Sequence, residues 1–86
     1  MKLRSTPRFD RRLSKRLSKN PQLKKKVSKQ LKLLEKDIKH PSLKIHRLGG
    51  KRVHEFAIWI EGNLRITFLI VKDTILLTDV ITHDEY

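Results

Sequence analysis

Few residues in this chain can grip a phosphate or move a proton, and those with a definable place lie mostly in its second half. Arg65 stands in the alternating run Leu64-Arg65-Ile66-Thr67-Phe68, which makes it a cation on a strand. A guanidinium stays charged and can hold a phosphate through two parallel hydrogen bonds. On the open face of a sheet it would hold a scissile phosphate or stabilise charge building in a transition state. Spacing alone equally allows a cross-strand pair with Glu61, worth about 0.2–1 kcal/mol. His83, in Thr82-His83-Asp84-Glu85-Tyr86, can give or take a proton near neutral pH. A histidine in a polar run near the end of a chain equally suits a solvated tail. Tyr86 is either a base-stacking ring or an aromatic anchor.

A second group surrounds Gly49-Gly50. His46 and His54 flank that turn with Arg47, Lys51 and Arg52 beside them, a cluster able to approach RNA phosphates and a 2′-hydroxyl. Trp59, if it faces outward, can stack a base or pack against a partner protein. The four histidines show no metal-ligand spacing, so no metal site is expected. His40, just before Pro41, reads as a cation at a helix C-terminus. Cysteine is absent, which excludes a thiolate nucleophile and a disulfide framework and suits a reducing compartment, although it is also compatible with secretion.

The charge is lopsided. Residues 1–40 carry fifteen Lys and Arg against Asp10, Glu35 and Asp37, so they hold the whole net charge of +12. Six basic and six acidic residues cancel in the remainder. A polyanion partner follows from this: nucleic acid, an anionic membrane or an acidic protein. Lys25 and Lys29 belong to a Lys-rich stretch whose simplest use is docking to phosphate, with steep salt dependence. No apolar run approaches the roughly 18 residues of a membrane span. The Arg- and Ser-rich start also suits a transit peptide, but the same residues make a structural helix.

These groups must be positioned by a small scaffold. A chain of 86 residues supports one domain, 1–86, with one core and no deep cavity. Lys2 to Ser5 can form a short edge strand. Thr6-Pro7 gives a helix start, with Thr6 as N-cap, and Phe9, Leu13 and Leu17 make one apolar stripe. Asn20-Pro21 repeats the start signal. Leu23, Val27, Leu31, Leu34 and Ile38 then predict a second amphipathic helix that His40-Pro41 stops. The short connection makes an antiparallel helical hairpin.

From Leu43 the apolar period becomes two. Leu43/Ile45 open a strand, Val53 to Ile60 form a longer one, and Gly62-Asn63 turn the chain into Leu64 onward. Lys72-Asp73 then turn it into Thr74 to Ile81. A three-residue loop (Gly62, Asn63, Leu64) would pair Ile60 with Ile66, Ile58 with Phe68, Glu61 with Arg65 and Trp59 with Thr67. The expected architecture is α+β: a short N-terminal strand and an antiparallel helical hairpin on one face of a small antiparallel sheet. The helices cover Phe56, Ile58, Ile66 and Phe68, while Trp59, Glu61 and Arg65 look outward.

The chain resembles the RelE/ParE superfamily of bacterial type II toxins, and within it the YafQ-like and RelE-like mRNA interferases. The resemblance runs through His40-Pro41-Ser42-Leu43, Leu48-Gly49-Gly50-Lys51, Glu55-Phe56, Leu64-Arg65-Ile66-Thr67-Phe68 and Thr82-His83-Asp84-Glu85-Tyr86, in that order. It implies a RelE-like fold and a cytoplasmic endoribonuclease that cuts mRNA on the ribosome by 2′-hydroxyl attack, without metal or small-molecule cofactor. Arg65 matches the strand arginine that holds the phosphate, and His83 the C-terminal histidine. Tyr86 falls near the terminal tyrosine, and Lys51 near a basic residue before the second meander strand. Leu64 stands where an aromatic often precedes that arginine, and the tail is one residue shorter than usual. The implied partner is a cognate acidic antitoxin. Two alternatives share the fold: a ParE-like toxin that inhibits DNA gyrase without catalysis, and an RNA-binding member without cleavage.

Overall fold

The computed structural model describes residues 1–82; the expectations for His83 and Tyr86 lie outside the described residues. Five strands form one sheet in the order β1-β5-β4-β3-β2. They are β1 (Lys2–Ser5), β2 (His46–Arg47), β3 (Phe56–Glu61), β4 (Leu64–Val71) and β5 (Thr74–Thr82). Helices α1 (Pro7–Lys19) and α2 (Leu23–Lys36) pack on it, α1 against β5 and α2 against β3. The α+β architecture is therefore the expected one, with one difference. β2 to β5 are antiparallel, but β1 joins β5 in parallel, with Lys2 opposite Thr74 and Ser5 opposite Leu77. The parallel pairing is possible because the helices and the meander separate β1 from β5 by a long connection.

Thr6 does what its place predicts and more. Its hydroxyl accepts from Phe9 N at 3.2 Å and caps α1, while its own N–H and hydroxyl both reach Leu77 O. The cap thus fixes the helix to β5 as well as starting it. α2 begins without a side-chain cap, its first N–H groups bonding backward to the carbonyls of Asn20 and Pro21. It ends at Lys36, earlier than Pro41 requires. Asp37 leaves the helix at φ −152°, and its carboxylate accepts from Lys39 N at 3.2 Å, a local turn that competes with helix.

The core is one cluster. Phe9, Leu23, Val27 and Leu34 from the helices meet Ile58, Ile66, Phe68, Ile75, Leu77 and Val80 from the sheet. Each such side chain contributes about 1.5–3 kcal/mol on full burial. Phe56 and Phe68 face each other across β3 and β4 and stack at 5.6 Å.

The β3–β4 hairpin corrects the three-residue loop. Trp59 lies opposite Arg65, Ile58 opposite Ile66 and Glu61 opposite Leu64, with the register shifting at Ile60. The loop is therefore Gly62-Asn63, with Gly62 at φ +49°, a backbone suited to glycine. The extra residue at the bulge lets Ile60 and Leu64 both reach the core, so a two-residue turn does not mix the faces.

Two strands also begin later than their apolar residues suggest. Pro41–Leu43 is a 3-10 turn in which His40 Nδ1 accepts from Ser42 N at 3.1 Å, and Lys44 adopts φ +47°. His40 therefore caps this turn and does not sit in the last turn of α2. Gly50–Arg52 forms a second 3-10 turn, and Glu55 N bonds back to Arg52 O, which holds Val53 to Glu55 out of β3.

Candidate functional site

Cross-strand register fixes which side chains share the sheet face turned away from the helices. His46 stands opposite Ala57, and Ala57 opposite Thr67, forming one row across three strands. Trp59, Arg65 and Ile81 form the next row. The core side chains of Ile58, Ile66 and Phe68 alternate with these and point the other way.

Arg65 is half-buried on this face. Its Nη1 donates to Gly62 O at 3.1 Å and to Leu64 O at 3.2 Å, and among the described residues its other two nitrogens have no partner. The expected pair with Glu61 is not formed. The bulge places Trp59 opposite Arg65, and Glu61 instead binds Lys26 Nζ at 2.9 Å. Trp59 is likewise half-buried, its Nε1 donating to Gly62 O at 3.0 Å. Lys44 Nζ sits 4.6 Å from the indole centroid, a cation–π contact that the sequence did not announce.

Beside this row lies a polar network. Arg52 reaches Glu55 through Nε at 2.6 Å and Nη2 at 3.1 Å, and Nη2 also donates to Thr67 Oγ1 at 3.2 Å. The Thr78 hydroxyl donates to Glu55 Oε1 at 2.7 Å and lies 2.7 Å from Thr67 Oγ1. The Arg52 hydrogen bond holds the Glu55 carboxyl below its ordinary value against the opposing effect of burial, and Thr78 adds to the lowering. Glu55 is therefore a fixed anion. Arg52, read from the sequence as an RNA contact, is engaged within the protein.

The remaining expected contacts are dispersed. His46 is exposed on the Arg65 face, with Nδ1 3.4 Å from Lys44 O. Lys51 and His54 are exposed on the segment leading into β3, whereas Lys25 and Lys29 are exposed on α2, which lies on the opposite side of the sheet. On α1, Arg8 and Arg12 bind the carboxylate of Asp79 at 3.2 and 3.1 Å, so part of the basic helix serves the fold. The sequence signalled Glu55 and Thr67 only as parts of the resemblance and gave Thr78 and Asp79 no role; none of the four was expected to make these contacts. Among the described residues no three His, Asp or Glu side chains converge as metal ligands would, and no helix is long and apolar enough to cross a membrane.

No protein-family model matches this sequence, and no curated protein matches it. Solved structures match its fold. YafQ from E. coli strain BL21(DE3) is 13% identical, with a TM-score of 0.80 over 96% of this chain and 93% of that one. A YoeB/ParE toxin from Agrobacterium tumefaciens is also 13% identical, with a TM-score of 0.81 over 96% and 99% of the two chains. The E. coli DinJ-YafQ complex contributes a chain 14% identical, with a TM-score of 0.78 over 96% and 93%. The RelE/YoeB-like toxin fold implied by the sequence is the fold observed.

Proposed function

We propose that this chain, which carries the fold of the YafQ and YoeB/ParE toxins, is the toxin of a type II toxin–antitoxin pair and cuts mRNA on the ribosome in the cytoplasm. The observation that carries this reading is the state of Arg65. It lies on the sheet face that the helices leave uncovered, held by one nitrogen, with Nε and Nη2 left to grip a phosphate. The structural likeness supports the class of protein, and the DinJ-YafQ complex supports an antitoxin partner.

In this reading the 2′-oxygen of one nucleotide attacks the adjacent phosphorus, and the bond to the 5′-oxygen of the next nucleotide breaks. The proton of the 2′-hydroxyl passes to a basic side chain, for which His46 lies on the same face as Arg65. Arg65 stabilises the charge on the non-bridging oxygens. His83 returns a proton to the departing 5′-oxygen, which yields a cyclic phosphate and a free 5′-hydroxyl. Trp59 and Tyr86 offer rings for stacking, and Lys51 and His54 contact the flanking backbone. Lys25 and Lys29 dock the helix side to phosphate, and Arg52 keeps Glu55 in place.

The antitoxin would bring an acidic, amphipathic segment to the helices. Leu13, Leu17 and Leu31 are only partly buried and line a cavity of about 310 Å³ between α1 and α2, with Lys24, Lys32 and the single acid Glu35 also lining it. That is the complement of a helix with acids beside leucines.

The test is primer extension on mRNA after induction of the wild type and of Arg65→Ala. Cleavage by the wild type alone supports the proposal. Intact mRNA with a DNA-damage response would instead favour gyrase inhibition, and salt-sensitive RNA binding without cut ends would favour a non-catalytic binder.

A further inference from the structure

Between α2 and β3 lies a second cavity, of about 170 Å³, lined by Lys26, Lys29, Gln30, Trp59, Ile60 and Glu61. Gln30 is unusual for a polar side chain because it is only 4% exposed. Its Nε2 donates to Trp59 O at 2.8 Å and to Ser42 O at 3.2 Å. Both partners are carbonyl oxygens, so the amide can sit only one way round, nitrogen toward them and Oε1 away. Among the described residues nothing donates to Oε1, yet it is not one of the atoms sealed from solvent. It is an unused acceptor on a residue that lines the cavity.

The surroundings define what would satisfy it. Ile60 gives apolar lining and Trp59 presents its backbone carbonyl, while Lys29 and Lys26 carry ammonium groups, the latter held by Glu61 at 2.9 Å. A ligand must bring an N–H inward and leave negative charge outside. The cavity is smaller than the roughly 300 Å³ at which drug-sized sites begin, so it admits one ring system and not a whole nucleotide. A nucleobase with its phosphate left among the lysines meets each condition.

We propose that this cavity is a base subsite, which takes one nucleobase of single-stranded RNA through an N–H donated to Gln30 Oε1, with Lys29 on the adjoining phosphate. The inference rests on the RNA-cleaving reading and deepens it. The Trp59 backbone carbonyl accepts from Gln30 on the α2 side, while its indole shares the Gly62 carbonyl with Arg65 on the other face, so β3 separates the two sites. A base held here would engage RNA at a point separate from Arg65.

The experiment is a nitrogen-15 NMR titration of the full chain with three probes. These are GMP, the monophosphate of purine riboside (whose base has no N–H donor) and inorganic phosphate. GMP should shift the Gln30 side-chain amide and the Trp59 backbone amide, with at least tenfold weaker binding by the purine analogue, because the acceptor would stay unpaired. Lys29→Ala should weaken GMP binding several-fold with unchanged thermal unfolding. Equal response to all three probes, or none at Gln30, overturns the proposal. Absence of mRNA cleavage by the wild type in cells would overturn the nuclease reading instead, and the titration would still decide the cavity.

Discussion

Trp59 and Arg65, opposite each other on β3 and β4, donate to one acceptor, the Gly62 carbonyl, at 3.0 and 3.1 Å. The turn residue therefore orients a ring and a guanidinium together on the face turned away from the helices. The arrangement depends on the bulge at Ile60, since without it Arg65 would lie opposite a different residue.

Arg65 can be removed without loss of the fold. Its two acceptors are exposed or backbone groups near a turn, so Arg65→Ala should cost about 1 kcal/mol or less. mRNA cleavage should fall by orders of magnitude, and Arg65→Lys should recover little, because an ammonium lacks the two-pronged grip. Thermal unfolding and primer extension on the same variants measure the two effects.

Glu55 makes stability depend on pH. Its carboxyl is held below the ordinary 4.5 in the folded chain, so the unfolded chain binds the proton more readily. The contribution is fully present above about 4.5 and is lost as pH falls through the lower folded value. Melting temperature measured from pH 6 to pH 3 should drop, and Glu55→Gln should flatten that part of the drop while lowering stability at pH 6.

Asp79 is the anchor for α1. Its side chain is 6% exposed, against 61% for Arg8 and 34% for Arg12, so the ion pairs themselves are strongly screened. The larger loss is the acceptor that Asp79 Oδ1 gives to Val80 N at 2.8 Å. Asp79→Ala should cost about 1–3 kcal/mol in urea denaturation, and Asp79→Asn, which keeps an acceptor, should cost less.

Ser42 offers the opposite sign. Its hydroxyl is buried with no hydrogen-bond partner among the described residues. Ser42→Ala removes that unsatisfied group and should be neutral or stabilising by up to about 1 kcal/mol. Denaturant midpoints of the two proteins test this directly.

Local signals in the sequence were sufficient for the two helices and the three long strands, though not for all of their ends. The spacing of Phe9, Leu13 and Leu17, the Thr6-Pro7 cap and the alternation around Ile66 and Phe68 each act within a few residues, so they are legible one segment at a time. They also identified the buried face and placed Arg65 opposite it. Packing alone decided the rest. The parallel pairing of β1, the grouping of Arg52 and Glu55 with Thr67 and Thr78, and the burial of Gln30 join segments far apart in the chain. Arg8 and Asp79 are 71 residues apart, and no periodicity can announce such a pair. Its partners meet only when the helices settle on the sheet, because the favourable term there is shared burial and not any preference of the residues themselves.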